Sequence, residues 1–207
     1  LFTGVYQPTE GTIEFDGRSI VGLKPYQITQ RGIARTFQNI RLFSELTVLD
    51  NVRIAFHDHV KYTVAEAVLR AGRYFGEEAR ITMESRELLS IFKLEDKAEE
   101  TAKNLPYGAQ RRLEIARALA AKPKLLLLDE PAAGMNPQET RELMDMIRWI
   151  RDQFNLTVLL IEHDMSLVMG ICERIYVLEY GQIIAAGTPE EIRQNPEVIR
   201  AYLGGEG

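Results

Sequence analysis

An α/β fold on a mostly parallel sheet is predicted by three observations. From residue 105 onward, apolar strand candidates alternate with helical patterns, which is the grammar of a doubly wound sheet. The run Leu125–Leu128 is continuously apolar, as a strand covered on both faces requires. Asn136-Pro137-Gln138-Glu139 and Thr188-Pro189-Glu190-Glu191 both read as helix starts. Each has a polar cap, a proline at the first helical position and a glutamate three residues past the cap. Residues 47–104 break the alternation with an almost wholly helical block, expected to be an inserted helical subdomain. A small antiparallel β part completes the architecture.

The elements follow in order. Thr12–Gly17 alternates polar and apolar residues and ends on a turn residue, so it reads as a short antiparallel strand. Residues 25–35 predict a short helix leading into a second strand candidate, Ile33–Phe37. Thr47–Val52 opens a helix, and Glu77–Leu94 is another, with Ile81, Leu88, Ile91 and Phe92 at helical spacing. Arg111–Ala121 is helical, and Thr157–Ile161 is expected to be a second buried strand. Ser166–Cys172 is a short helix, Arg174–Glu179 and Gln182–Ala186 are strands around a turn at Gly181, and short helices close the chain.

Composition excludes several classes. The 207 residues carry 25 Lys+Arg against 30 Asp+Glu, a net charge of −5, with 45% hydrophobic and 27% charged residues. That is ordinary for a folded domain and excludes disorder. The apolar runs fall far short of the ~18 residues of a membrane span. Mild acidity argues against a nucleic-acid partner, which wants a basic face. It does not argue against phosphate binding, which relies on local dipoles. The single cysteine, Cys172, rules out an internal disulfide and a CxxC metal site and fits a reducing compartment.

In open α/β sheets the chemistry gathers at the carboxyl ends of the strands. After Leu128 stand Asp129, Glu130 and Pro131, and after Ile161 stand Glu162, His163 and Asp164. An acidic pair delivered by a buried strand is the Walker B arrangement. One carboxylate holds Mg²⁺ and the second orients the water that attacks a γ-phosphate. The plain alternative is a pair of solvated residues closing a strand. His163 reads either as a hydrogen-bonded structural residue or as a donor to the γ-phosphate.

The ordered set is more specific than its parts. Arg35-Thr36-Phe37-Gln38 comes first, followed by Leu105-Pro106-Tyr107-Gly108-Ala109 and the helix Arg111–Leu119. Leu125–Pro131, Ala133-Gly134-Met135-Asn136-Pro137 and Leu159–Asp164 complete it. Together they resemble the Q-loop, signature, Walker B, D-loop and H-loop of the ATP-binding subunit of ABC transporters, over essentially the whole chain. The resemblance implies a P-loop NTPase-like ABC ATPase core with ATP and Mg²⁺ as ligands. It implies Glu130 as catalytic glutamate, His163 as switch histidine, and Gln38 as the glutamine reaching Mg²⁺ and the attacking water. Asp129 would be the metal carboxylate. Pro106, Tyr107, Gly108 and Ala109 would face ATP held by a partner subunit, and Gly134 and Asn136 would lie in a loop crossing the dimer interface. Singly, each has a plainer reading. Gln38 is then a loop amide, residues 106–109 a helix start, and residues 133–137 a capped strand-to-helix turn.

The signature departs from the family's L-S-G-G-Q. Pro106 replaces the serine, Tyr107 the first glycine and Ala109 the glutamine, which leaves backbone N–H groups and the helix dipole to meet a phosphate. L-P-Y-G, R-R-L-E-I-A-R, P-A-A-G-M-N-P, R-T-F-Q-N-I-R-L-F, I-E-H-D-M and the closing Y-L-G narrow the resemblance. They are similar to the larger ATP-binding subunit of branched-chain amino-acid importers. The implied partners are a second ATP-binding subunit, two transmembrane permease subunits and, indirectly, a periplasmic or extracellular substrate-binding protein. The implied place is the cytoplasmic face of the plasma (inner) membrane, as a peripheral subunit. Ile40-Arg41-Leu42-Phe43 reads either as a docking patch for the permease or as subdomain packing.

No G-x-x-x-x-G-K-[ST] loop occurs in the sequence. In family order it precedes Leu1-Phe2-Thr3-Gly4, so N-terminal truncation before or within the following helix is expected. The chain as given is expected neither to hydrolyse ATP nor to bind it tightly, because Asp129 and Gln38 alone hold Mg²⁺ weakly. Three alternatives stand beside the importer reading. One is a non-enzymatic regulatory module that keeps the fold, and another is the ATPase of a urea or lipopolysaccharide system. The last is an ATPase of DNA repair, against which the short, cysteine-free block at 47–100 argues.

Overall fold

The computed structural model describes residues 1–203. The helical, strand and turn elements run in the expected order. A short hairpin, β1 (Glu14–Phe15) and β2 (Arg18–Ser19), turns through Asp16 and Gly17, both at positive φ. Helix α1 (Pro25–Gln30) leads into β3 (Ile33–Arg35). Ile20, Ile28, Ile33 and Leu127 form the apolar cluster that seats this part.

After β3 a loop over residues 36–46 leads into a mainly helical stretch, with α2 (Val48–Ala55), α3 (Val64–Leu69), α4 (Tyr74–Ile91) and α5 (Tyr107–Ala120). Helix α2 is capped by the Thr47 side chain and packs against α4 and α5. Its Val48 and Val52 are fully buried, as are Leu89 and Phe92 from α4 and its cap and Leu113 from α5. Helix α5 begins four residues ahead of the expected Arg111. Pro106 caps it from just outside the helix, and its carbonyl accepts from Ala109 N and Gln110 N. A proline here loses nothing, because its missing N–H would have no intrahelical partner.

Strand β4 (Leu125–Asp129) is central and parallel to β3 on one side and to β5 (Thr157–Ile161) on the other. Leu126, Leu127 and Leu128 are buried, as a strand covered on both faces requires. Strand β5 corrects an expectation. It is an edge strand among the described residues, with Leu159 38% and Ile161 52% exposed. Its apolar run resembles that of β4, but it is paired on one side only, so the same composition is covered only in part.

Helix α6 (Pro137–Phe154), α7 (Met165–Ile171) and the hairpin β6 (Ile175–Glu179) with β7 (Gln182–Gly187) follow. Helices α8 (Pro189–Gln194) and α9 (Pro196–Val198) and a π-helical turn at Ile199–Leu203 end the described chain. Gly204 of the closing Y-L-G lies outside the described residues. Thr188 and Glu191 form the reciprocal cap expected for α8. The structure divides into two compact units, residues 1–135 with 150–161, and residues 136–149 with 162–207. The second has its own core of Ile175, Val177, Ala185, Ile192 and Val198. No helix among the described residues is long and apolar enough to cross a membrane.

Leu126 has no exposed surface at the centre of this sheet. Leu126→Ala is expected to cost roughly 2–5 kcal/mol, read as a lower midpoint in urea unfolding. An unchanged midpoint would show that β4 is not the core strand.

Candidate functional site

Parallel pairing sets the site. Arg35 is in register with Leu127 and Asp129 with Ile161, so β3, β4 and β5 end at one edge of the sheet. Thr36 N donates to Leu127 O, carrying the β3–β4 ladder one residue further. Gln38 then leaves the sheet beside the residues that follow β4.

The two acidic residues meet different partners. Asp129 accepts from Arg35 Nη2 at 2.6 Å, an ion pair with both side chains partly buried. Glu130 Oε2 accepts from Gln38 Nε2 at 2.8 Å. Glu130 sits at φ +43°, in the left-handed region, a conformation costing about 1–3 kcal/mol that persists only where its surroundings enforce it. Its N–H donates to Ile161 O at 2.9 Å, which holds the backbone there. Gln38 and Glu130 are therefore in direct contact, while the neighbouring Asp129 is held by Arg35.

The Gln38 loop is held from α5. Arg111 and Glu114 are 0% and 1% exposed and form an ion pair of 2.8 Å. Arg111 donates to the carbonyls of Phe37 (2.6 Å) and Gln38 (2.7 Å), and Glu114 Oε1 accepts from Phe37 N (3.4 Å) and Arg41 N (3.2 Å). The Arg35 and Arg41 guanidinium groups lie 5.1 and 4.4 Å from the Phe37 ring centre, within cation–π range. Sequence reasoning missed Arg111 and Glu114. Their signal was an i,i+3 charge pair on a helix face that continues through Ile115 and Ala118.

Of the signature residues, Gly108 and Ala109 are buried, and Pro106 and Tyr107 are exposed. The Tyr107 hydroxyl accepts from Arg111 Nη2 at 3.3 Å. Gly134 has φ +76°, and a methyl group placed on it would lie 3.5 Å from Tyr107 Cε1. The signature turn and the turn after β4 thus pack together. Arg117, whose guanidinium lies 5.6 Å from the Phe43 ring centre, has its pKa lowered by burial, with Glu114 opposing that shift.

Asn136 and His163 belong to the second unit. Asn136 Oδ1 caps α6 by accepting from Gln138 N and Glu139 N, and Glu139 Oε2 accepts from Asn136 N in return. The His163 side chain is 75% exposed, with Nδ1 4.0 Å from Glu162 Oε2. Asp164 caps α7 by accepting from Ser166 N and Leu167 N.

The Gln38–Glu130 contact predicts that the two side chains are energetically coupled. A double-mutant cycle of Gln38→Ala and Glu130→Ala in urea unfolding is expected to show a coupling of about 0.5 kcal/mol or more. Strict additivity would show that the two side chains do not meet in solution.

The family model described as ABC transporter matches residues 1–133, and the one described as branched-chain amino acid ATP-binding cassette transporter matches residues 182–207. The chain is 48% identical to the high-affinity branched-chain amino acid transport ATP-binding protein LivG of Salmonella typhimurium, over 98% of this chain and 79% of that one. It is 46% identical to the corresponding protein BraF of Pseudomonas aeruginosa over the same shares. Among solved structures, an ATP-binding cassette of an ABC transporter in its ADP conformation matches with a TM-score of 0.80 and 27% identity, over 98% of this chain and 80% of that one. The α/β core, the acidic pair at the end of β4 and these matches lead to one conclusion: the chain belongs to the ABC transporter family of ATP-binding cassettes.

Proposed function

We propose that this chain hydrolyses ATP to energise import of branched-chain amino acids through a pair of membrane permease subunits. The observation that carries the reading is the Gln38–Glu130 contact beside Asp129, at the edge where β3 and β4 both end. The 48% identity to LivG supports the cargo assignment.

In this reading Glu130 orients the attacking water and draws its proton, and Gln38 fixes the rotation of the Glu130 carboxylate. His163 donates to the γ-phosphate and steadies the charge that develops there. The residues fit Mg²⁺ in kind, since the Asp129 carboxylate and the Gln38 carboxamide are hard oxygen donors. Among the described residues no three His, Cys, Asp or Glu converge on a metal position, so these two would share Mg²⁺ with water and phosphate oxygens. When bound, the ion supplies neutralisation of charge on the phosphates. Arg35, which already holds Asp129, keeps that carboxylate aimed.

The first-turn amides of α5, with its dipole, would face the ATP of a second ATP-binding subunit. Gly134 and Asn136 would lie along that dimer contact. We place residues 47–104 as the helical subdomain through which the permease is engaged. The subunit would then sit peripherally on the cytoplasmic membrane face, served by an external substrate-binding protein.

In the assembled transporter, Glu130→Gln is expected to keep ATP binding and slow hydrolysis by about 10²–10⁴-fold, the usual worth of a positioned base. Phosphate release at the unmodified rate would remove Glu130 from the chemistry. Asp129→Ala is expected to weaken nucleotide binding only when Mg²⁺ is present.

A second test concerns docking. Phe43 is exposed and lies beside Arg117. Cysteines placed at 41–45 are expected to cross-link to the permease in the assembled complex. An assembled, transporting complex without cross-links would move the docking surface elsewhere.

A further inference from the structure

The Gln38 side chain meets Glu130 only because its backbone is held, and the holding groups lie on another element. Arg111 takes the carbonyls of Phe37 and Gln38, the two that flank Gln38. Glu114 takes the N–H groups of Phe37 and Arg41. Four backbone groups of one loop thus end on one buried ion pair of α5, and none of them belongs to a helix or strand ladder. The planar fork of the guanidinium spans two carbonyls and the Glu114 carboxylate at once, a geometry that a lysine cannot reproduce. The same guanidinium reaches the Tyr107 hydroxyl, and the Tyr107 ring lies beside Gly134 in the turn that follows Glu130. Burying both charges almost completely is costly unless their hydrogen bonds are made. A loop in any other position would leave the pair short of partners.

We propose that Arg111 and Glu114 are positioning residues for hydrolysis. Together they set the Gln38 carboxamide against the Glu130 carboxylate and tie this loop to the first turn of α5, so that both sides of the site move as one piece. The proposal rests on the reading of Gln38 and Glu130 given above. Neither Arg111 nor Glu114 touches nucleotide in this scheme. Their loss should therefore lower kcat and leave the KM for ATP in place.

Three variants test it in the assembled transporter. Arg111→Lys keeps the charge and loses the fork. Glu114→Gln keeps the shape with one acceptor fewer. The double variant Arg111→Met with Glu114→Leu removes the buried charges together, an exchange that often leaves stability unharmed, so at least one variant should fold. Each is expected to lower kcat by about 10- to 100-fold, the scale of a misplaced catalytic group, with KM unchanged. Amide exchange at Phe37 and Arg41 should quicken by roughly 10-fold or more, while exchange in Leu125–Asp129 stays slow. In a Gln38→Ala background, Arg111→Lys should add nothing further, as expected of residues that act through one another.

Unchanged kcat and unchanged exchange at Phe37 and Arg41 in a folded variant would overturn the proposal. So would a full additive loss in the Gln38→Ala background. If Gln38→Ala and Glu130→Gln themselves leave turnover intact, the reading of the site fails instead, and the exchange measurement still reports whether the pair holds the loop.

Discussion

The central position of β4 is the constraint on which the site depends. Its three buried leucines need cover on both faces, and its backbone needs a partner on both sides. Parallel neighbours meet the second need, and parallel pairing brings all three carboxyl ends to one edge. A one-residue slip would turn Asp129 toward the opposite face and put a leucine in its place. The apolar interior therefore decides where the carboxylates stand. Arg35 and Gln38 follow, because β3 is in register with the same strand.

Two adjacent carboxylates are then distinguished by what meets them. Asp129 faces a guanidinium, which fixes its direction through a charge-assisted hydrogen bond. Glu130 accepts from the Gln38 carboxamide, which orients it. The first carboxylate is thus fixed by a cation, and the second is oriented by an amide N–H. The left-handed backbone at Glu130 makes the difference possible. It turns the chain sharply after β4, so that consecutive side chains do not simply alternate across the sheet.

Much of this was legible in the sequence, for identifiable reasons. The four consecutive leucines of β4 read as a strand because no helix-period polar face interrupts them. The α6 and α8 starts were legible because a cap–proline–glutamate pattern acts within one turn and needs no tertiary context. The exposure of β5 was not legible, since a strand's composition does not state how many neighbours it has. The burial of Arg111 and Glu114 was hidden for a related reason. An Arg and a Glu three residues apart read as a solvated pair on a helix surface, and only the arrival of the Gln38 loop makes that face an interior.

Tyr107 shows how a departure from the family's signature is absorbed. A glycine at this place leaves the backbone bare, and a tyrosine must find room for a ring at the mouth of a helix. The ring finds it beside Gly134, a residue already in the left-handed region where a side chain is strained. The hydroxyl finds a donor in Arg111, which is fixed by Glu114. The helix start is thereby tied to the Gln38 loop by one guanidinium and lies against the turn after Glu130 through the Tyr107 ring. A smaller residue at 107 would leave α5 joined to the Gln38 loop through Arg111 and Glu114, one turn further on. The tyrosine adds a side-chain link among the helix that would face a partner's phosphate, the loop that carries Gln38 and the strand end that carries Glu130.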